Sequence, residues 1–171
     1  DGQARGVVAL EGIGTLWVNT GTLCNIACAH CYIESSPVND ALVYLSAAEV
    51  SAALDDVLAK GHPGAEVGFT GGEPFLNPEF PAMIGGVLAR GLRVLVLTNA
   101  MRPMMKLADP LVELGQRYGN QLILRVSIDH YSWELHEKER GLQSWRPTIE
   151  GLLWLSENGF NIAVAGRTYW G

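Results

Sequence analysis

Short apolar runs alternate with amphipathic segments along most of this chain, and that alternation limits its possible folds more than any other feature. Residues 92–97 are apolar at nearly every position, as in a parallel-sheet strand covered on both faces. Further strand candidates fall at 16–20, 66–70, 121–128 and 160–165. Helix candidates lie between them at 46–61, 77–91, 104–118 and 147–157. Ser46 and Glu49 have the spacing of a capping box, and Val50, Leu54, Val57 and Leu58 share one helical face behind it. Strand-helix units of this length imply parallel strands joined by right-handed crossovers, which is an α/β fold.

The 171 residues fit one domain with a sizeable core. Net charge is -6, from 18 acidic and 12 basic residues, and no Lys/Arg cluster interrupts it. That argues against the phosphate-neutralising surface of a nucleic-acid binder. The longest apolar runs fall far short of a membrane span, and the first residues show no signal segment. The chain starts at Asp1 without a methionine, which suggests a removed start or a piece of a longer protein. All three cysteines, Cys24, Cys28 and Cys31, fall within eight positions. An odd number so closely spaced cannot staple distant elements, so the expectation is a reducing cytoplasm with metal or redox chemistry.

In parallel α/β folds, sites gather at the C-terminal ends of the strands. Polar and glycine residues fall there throughout this sequence: Asn19-Thr20 before the cysteines, Thr70-Gly71-Gly72-Glu73-Pro74, Thr98-Asn99-Ala100, Ser127 with Asp129, and Gly166-Arg167-Thr168. One shared site at one rim follows. Three thiolates can hold an iron–sulfur cluster with one iron left open, since such clusters usually take four cysteines. The alternatives are a zinc site completed by His30, His62, His130 or His136, or a plain electron-transfer iron–sulfur module. The stretch "HEKERG" at 136–141 reads as structural, with Glu137 and Arg140 paired at i, i+3 on a helix.

Taken in order, "CNIACAHCY" at 24–32, "GGEP" at 71–74, Thr98-Asn99-Ala100, "RVSIDH" at 125–130 and "HEKERG" resemble the radical S-adenosylmethionine (SAM) superfamily. The "CNIACAHCY" form is similar to the subgroup of peptide-modifying and cofactor-maturing enzymes. The resemblance implies a partial (β/α) barrel of six units, truncated here after strand five, with residues 1–171 as its core domain. A sheet edge would then be unpaired, and Tyr169 and Trp170 would have little to pack against. It implies that Cys24, Cys28 and Cys31 hold three irons of a [4Fe-4S] cluster while SAM chelates the fourth. His30 would contact the adenine, and Gly71, Gly72, Glu73 and Pro74 would form the edge for the methionine amino group. Ser127 and Asp129 would meet the SAM carboxylate and ribose, with Asn99 beside them and Arg167 as a carboxylate clamp. The implied reaction is reductive cleavage of SAM to a 5'-deoxyadenosyl radical that abstracts a substrate hydrogen atom. Implied partners are a peptide or small-molecule substrate and an electron donor such as flavodoxin or ferredoxin, with no nucleic acid and no membrane.

Overall fold

The computed structural model describes residues 11–61 and 66–167, so His62, Tyr169 and Trp170 lie outside the described residues. Its elements run β1 (Thr15–Asn19), α1 (Ala47–Ala59), β2 (Glu66–Thr70), α2 (Phe80–Ala89), β3 (Arg93–Thr98), α3 (Arg102–Met105), α4 (Ala108–Tyr118), β4 (Leu122–Ser127), α5 (Trp133–Arg140), α6 (Trp145–Glu157) and β5 (Asn161–Ala165). The five strands form one parallel sheet in the order β1-β2-β3-β4-β5. Each strand pairs with its neighbour in sequence, and crossovers of one hand then put the helices on one face. The architecture is the expected α/β open barrel.

The core lies between that face and the helices. Val67, Phe69, Val94, Val96, Leu122, Leu124 and Val126 pack there with Leu54, Phe80, Ile84, Leu111 and Leu155. Phe69, Phe75 and Phe80 meet edge to face, with ring centroids 5.0–5.2 Å apart. Strand β4 alternates strictly: Leu122, Leu124 and Val126 are buried, whereas Ile123, Arg125 and Ser127 are half-buried on the concave face. The central strands are therefore not all covered on both sides, as the run at 92–97 suggests for β3.

Helix α1 is capped as its sequence predicts. Glu49 N donates to Ser46 Oγ at 3.2 Å, and Ser46 N donates to Glu49 Oε2 at 2.8 Å. Two expected helix bounds shift for a shared reason. The segment at 104–118 is two helices, α3 and α4, and Pro110 lies in the first turn of α4. Helix α6 likewise starts at Trp145, with Pro147 in its first turn. The first turn's N–H groups have no partner inside the helix, so a proline there loses no hydrogen bond, whereas it would break a helix interior. The helix expected for the "HEKERG" stretch is α5, which contains most of it and starts earlier, at Trp133.

Candidate cofactor site

Strand β1 delivers the chain into the cysteine loop, which is fastened on three sides. Gly72 N donates to Gly21 O at 2.9 Å and Glu73 N to Leu23 O at 3.0 Å, tying the loop to the end of β2. Cys24 N donates to Ser36 O at 3.1 Å, closing the loop on itself, and Ala29 N donates to Glu139 O at 2.8 Å, tying it to α5. Cys24 is buried and Cys28 and Cys31 are half-buried, all as free thiols. Two N–H groups approach their sulfurs: Ser35 N reaches Cys31 Sγ at 3.2 Å, and Asn99 Nδ2 lies 3.9 Å from Cys24 Sγ. Burial pushes the Cys24 thiol up to about 12. Burial also raises Cys28, while the Arg140 and Arg167 guanidiniums pull it back down.

The glycines of "GGEP" serve a close approach of two backbones. Gly71 has φ +135°, and a Cβ on Gly72 would collide with the Leu23 carbonyl. Both glycines line the cavity beside the cysteines. Glu73 and Pro74 do not. Pro74 opens a one-turn helix, and Glu73 turns inward, 2% exposed. Its carboxylate accepts from Thr98 Oγ1 at 2.8 Å, Asn99 N at 2.8 Å and Phe75 N at 3.3 Å. Burial raises its pKa to about 7 in spite of those donors. Glu73 thus ties the end of β2 to the end of β3 rather than forming an open edge.

The other predicted residues converge, with altered partners. Ser127, Asp129, Asn99, His30 and Arg167 all line the same cavity as the cysteines. Asn99 faces the cysteine loop, donating to Asn25 Oδ1 at 2.9 Å as well as approaching Cys24. Asp129 receives four N–H donors: Arg140 Nε at 2.6 Å, and Arg167 N, Nη2 and Nε at 2.7, 3.0 and 3.3 Å. A carboxylate has about four lone-pair sites, so these donors fill its capacity, and the expected ribose contact has no free acceptor here. Burial alone would raise the Asp129 pKa, but the bonds from Arg167 and Arg140 outweigh it and hold the group at about 2. Arg167 also reaches Glu139 Oε1 and the His30 carbonyl, each at 2.7 Å. His30 Nδ1 sits 2.9 Å from Glu139 Oε2. Ser127 keeps its hydroxyl unpartnered among the described residues, on the cavity wall.

Sequence reasoning missed Arg140 and Glu139. The expected Glu137–Arg140 pair does not form: Arg140 crosses to Asp129, and Glu137 Oε1 instead accepts from Trp145 N at 3.1 Å, at the start of α6. The only available signal was an arginine and a glutamate following the β4 end in one polar helix. The zinc alternative fares poorly. Zinc needs its ligands around a single point, and among the described residues no three His, Cys, Asp or Glu side chains are so grouped. His130 Nδ1 accepts from Ser132 N, and His136 is buried against Trp145. A [4Fe-4S] cluster spreads its thiolates over different irons, which suits a loop whose three cysteines line one wall of a cavity of about 350 Å³.

The sequence matches the radical SAM superfamily over residues 18–169. The chain belongs to that superfamily. Over 143 residues it is 33% identical to the antilisterial bacteriocin subtilosin biosynthesis protein AlbA of Bacillus subtilis, covering 83% of this chain and 30% of AlbA. It is 28% identical over 145 residues to the Fe-coproporphyrin III synthase of Methanosarcina barkeri, covering 82% of this chain and 33% of that enzyme. The radical SAM core thus spans about a third of the length of the curated relatives it matches. The crystal structure of Streptococcus suis SuiB bound to S-adenosylmethionine superposes with a TM-score of 0.74 at 15% identity, over 94% of this chain and 35% of SuiB. That likeness establishes the partial-barrel fold. No helix among the described residues is long and apolar enough to cross a membrane.

Proposed function

We propose that this chain is the catalytic core of a radical SAM enzyme that modifies a peptide. The observation that carries the proposal is the gathering of all three cysteines, Gly71, Gly72, Ser127 and two arginines around one cavity at the C-terminal strand ends. Cys24, Cys28 and Cys31 would each hold one iron of a [4Fe-4S] cluster, leaving the fourth for the amino and carboxylate groups of SAM. When bound, cluster and SAM together supply reductive cleavage of the sulfonium and removal of a hydrogen atom from the substrate.

The chain's own residues bind and orient. The free Ser127 hydroxyl and the guanidiniums of Arg140 and Arg167, whose charges Asp129 and Glu139 balance, give the cavity hydrogen-bond donors suited to a carboxylate. Asp129 holds both arginines at that wall, and Glu139 braces Arg167 and His30 together. The cysteine loop, fixed to β2 and α5, closes one side against water. A peptide substrate is supported by the bacteriocin-biosynthesis relative and by the fold likeness to SuiB, solved bound to its precursor peptide SuiA. The reaction also requires a one-electron donor of the flavodoxin or ferredoxin kind.

The test is anaerobic reconstitution with iron and sulfide, followed by electron paramagnetic resonance of the reduced protein with and without SAM. A cluster signal altered by SAM, with 5'-deoxyadenosine released under reduction, is the expected result. A reconstituted protein indifferent to SAM would leave only an iron–sulfur module. Deoxyadenosine release measured across candidate precursor peptides then tests the substrate class.

A further inference from the structure

Ser35 carries an unused donor at the cysteine loop. The residue is 4% exposed, yet its Oγ has no hydrogen-bond partner. It lies four residues after Cys31, and its own backbone N–H donates to Cys31 Sγ at 3.2 Å. The adjacent Ser36 carbonyl holds Cys24 N at 3.1 Å, so this short turn touches two of the three cysteines. Ser35 also lines the cavity that the cysteines share. Buried hydroxyls are nearly always bonded, and an exception calls for a partner.

That partner can be read from the chemistry of the cavity. A hydroxyl rotates about its C–O bond and donates one hydrogen. Thiolates and sulfides of an iron–sulfur cluster are acceptors only, and they would occupy the side of the cavity that Ser35 lines. We propose that Ser35 Oγ donates a hydrogen bond to a cluster sulfur and, with its own N–H, sets the cluster's reduction potential. This rests on the radical SAM reading above and adds a residue that the cysteine spacing does not reveal. Hydrogen bonds to sulfur favour the reduced cluster, which carries one more negative charge, and so raise its potential. Asn99 Nδ2, 3.9 Å from Cys24 Sγ, acts in the same sense at a second cysteine.

The test compares Ser35→Ala and Ser35→Thr with the unaltered chain. Each protein is reconstituted anaerobically, assayed for iron and sulfide, and titrated electrochemically with the reduced-cluster resonance as readout. Ser35→Ala should load the same iron but show a more negative midpoint potential, and Ser35→Thr, which keeps the hydroxyl, should return toward the original value. Thermal unfolding of the metal-free proteins supplies a second measurement. Deleting a hydroxyl that has no partner should leave metal-free stability unchanged or raised. An unchanged potential in Ser35→Ala at equal iron content overturns the role of Ser35 while leaving the radical SAM reading intact, and points to an ordered water as its partner. A clear loss of metal-free stability in Ser35→Ala overturns it too, since the hydroxyl would then be bonded within the protein. Failure of the unaltered chain to take up iron would overturn the radical SAM reading, and the role of Ser35 with it.

Discussion

Single replacement of Cys24, Cys28 or Cys31 by alanine should abolish both iron loading and SAM cleavage, because each thiolate is needed to hold its own iron. Iron analysis of the three variants checks this, and a variant with near-normal loading would remove that cysteine from the site. Asp129→Ala should loosen Arg140 and Arg167 together. Those charge-assisted bonds are worth roughly 1.5–3 kcal/mol to the fold. Because Asp129 has no acceptor free for SAM, SAM affinity should fall only through the two unanchored arginines while iron content holds. Calorimetric titration with SAM decides it. The same residue predicts an acid response. The folded-state pKa of Asp129 lies at about 2, below the 3.8 of an unperturbed carboxyl, so its contribution is present above about 4 and lost as pH falls through 2. That contribution is about 2 kcal/mol. Glu73 acts in the opposite window. Its pKa is raised to about 7, so its contribution is full below the ordinary 4.5 and lost as pH climbs through 7. Urea unfolding of the metal-free chain across pH should show both slopes, the first flattened in Asp129→Asn and the second in Glu73→Gln.

Among the elements, two substitutions separate folding from function. Ser46→Ala removes the capping box of α1, which lies away from the cavity. It should cost about 1 kcal/mol of stability and leave SAM binding unchanged. Gly72→Ala acts at the junction of β2 and the cysteine loop, where the added methyl meets the Leu23 carbonyl. It should cost roughly 1–3 kcal/mol and, because that backbone leads directly into Cys24, impair iron loading as well. Denaturant midpoints and iron content for the two variants check the contrast. Equal loading in both would mean that the β2 junction does not position the loop. The element boundaries make a related point. Pattern located every strand to within about two residues, because buried parallel strands are short, apolar and bounded by polar ends. It placed three helix starts wrongly, at Asn77, Met104 and Pro147, because a proline marks the first turn without saying which position of it. Helix α2 starts at Phe80, the third segment divides into α3 and α4, and α6 starts at Trp145.

At the scale of the molecule, β1 and β5 are the two edges of the described sheet. Strand β5 carries Val164, 58% exposed, beside main-chain groups that no described strand pairs. An apolar, unpaired edge invites pairing with another chain. The 171-residue chain should therefore self-associate as its concentration rises, and Val164→Lys should reduce that tendency without altering the fold. Sedimentation velocity across a concentration series tests this, and a strictly monomeric protein would show the edge to be protected.

Local chemistry was enough to fix the order of strands and helices, the cap of α1 and the confinement of all cysteines to one loop. Apolar periodicity, side-chain caps and residue spacing are written into stretches of a dozen residues or fewer. The parallel direction of all five strands then brought the polar strand ends to one rim, which is why Ser127, Asp129, Asn99 and Arg167 were legible as neighbours of the cysteines. Which partner each side chain takes was decided only by the tertiary structure. Asp129 binds Arg140 and Arg167, 11 and 38 residues away, and Glu139 reaches His30, 109 residues away. Glu73 faces inward because Thr98 and Asn99 on the neighbouring strand end offer it donors. Those choices depend on distances and on competition for lone pairs across separate elements, and no local pattern in the chain encodes either.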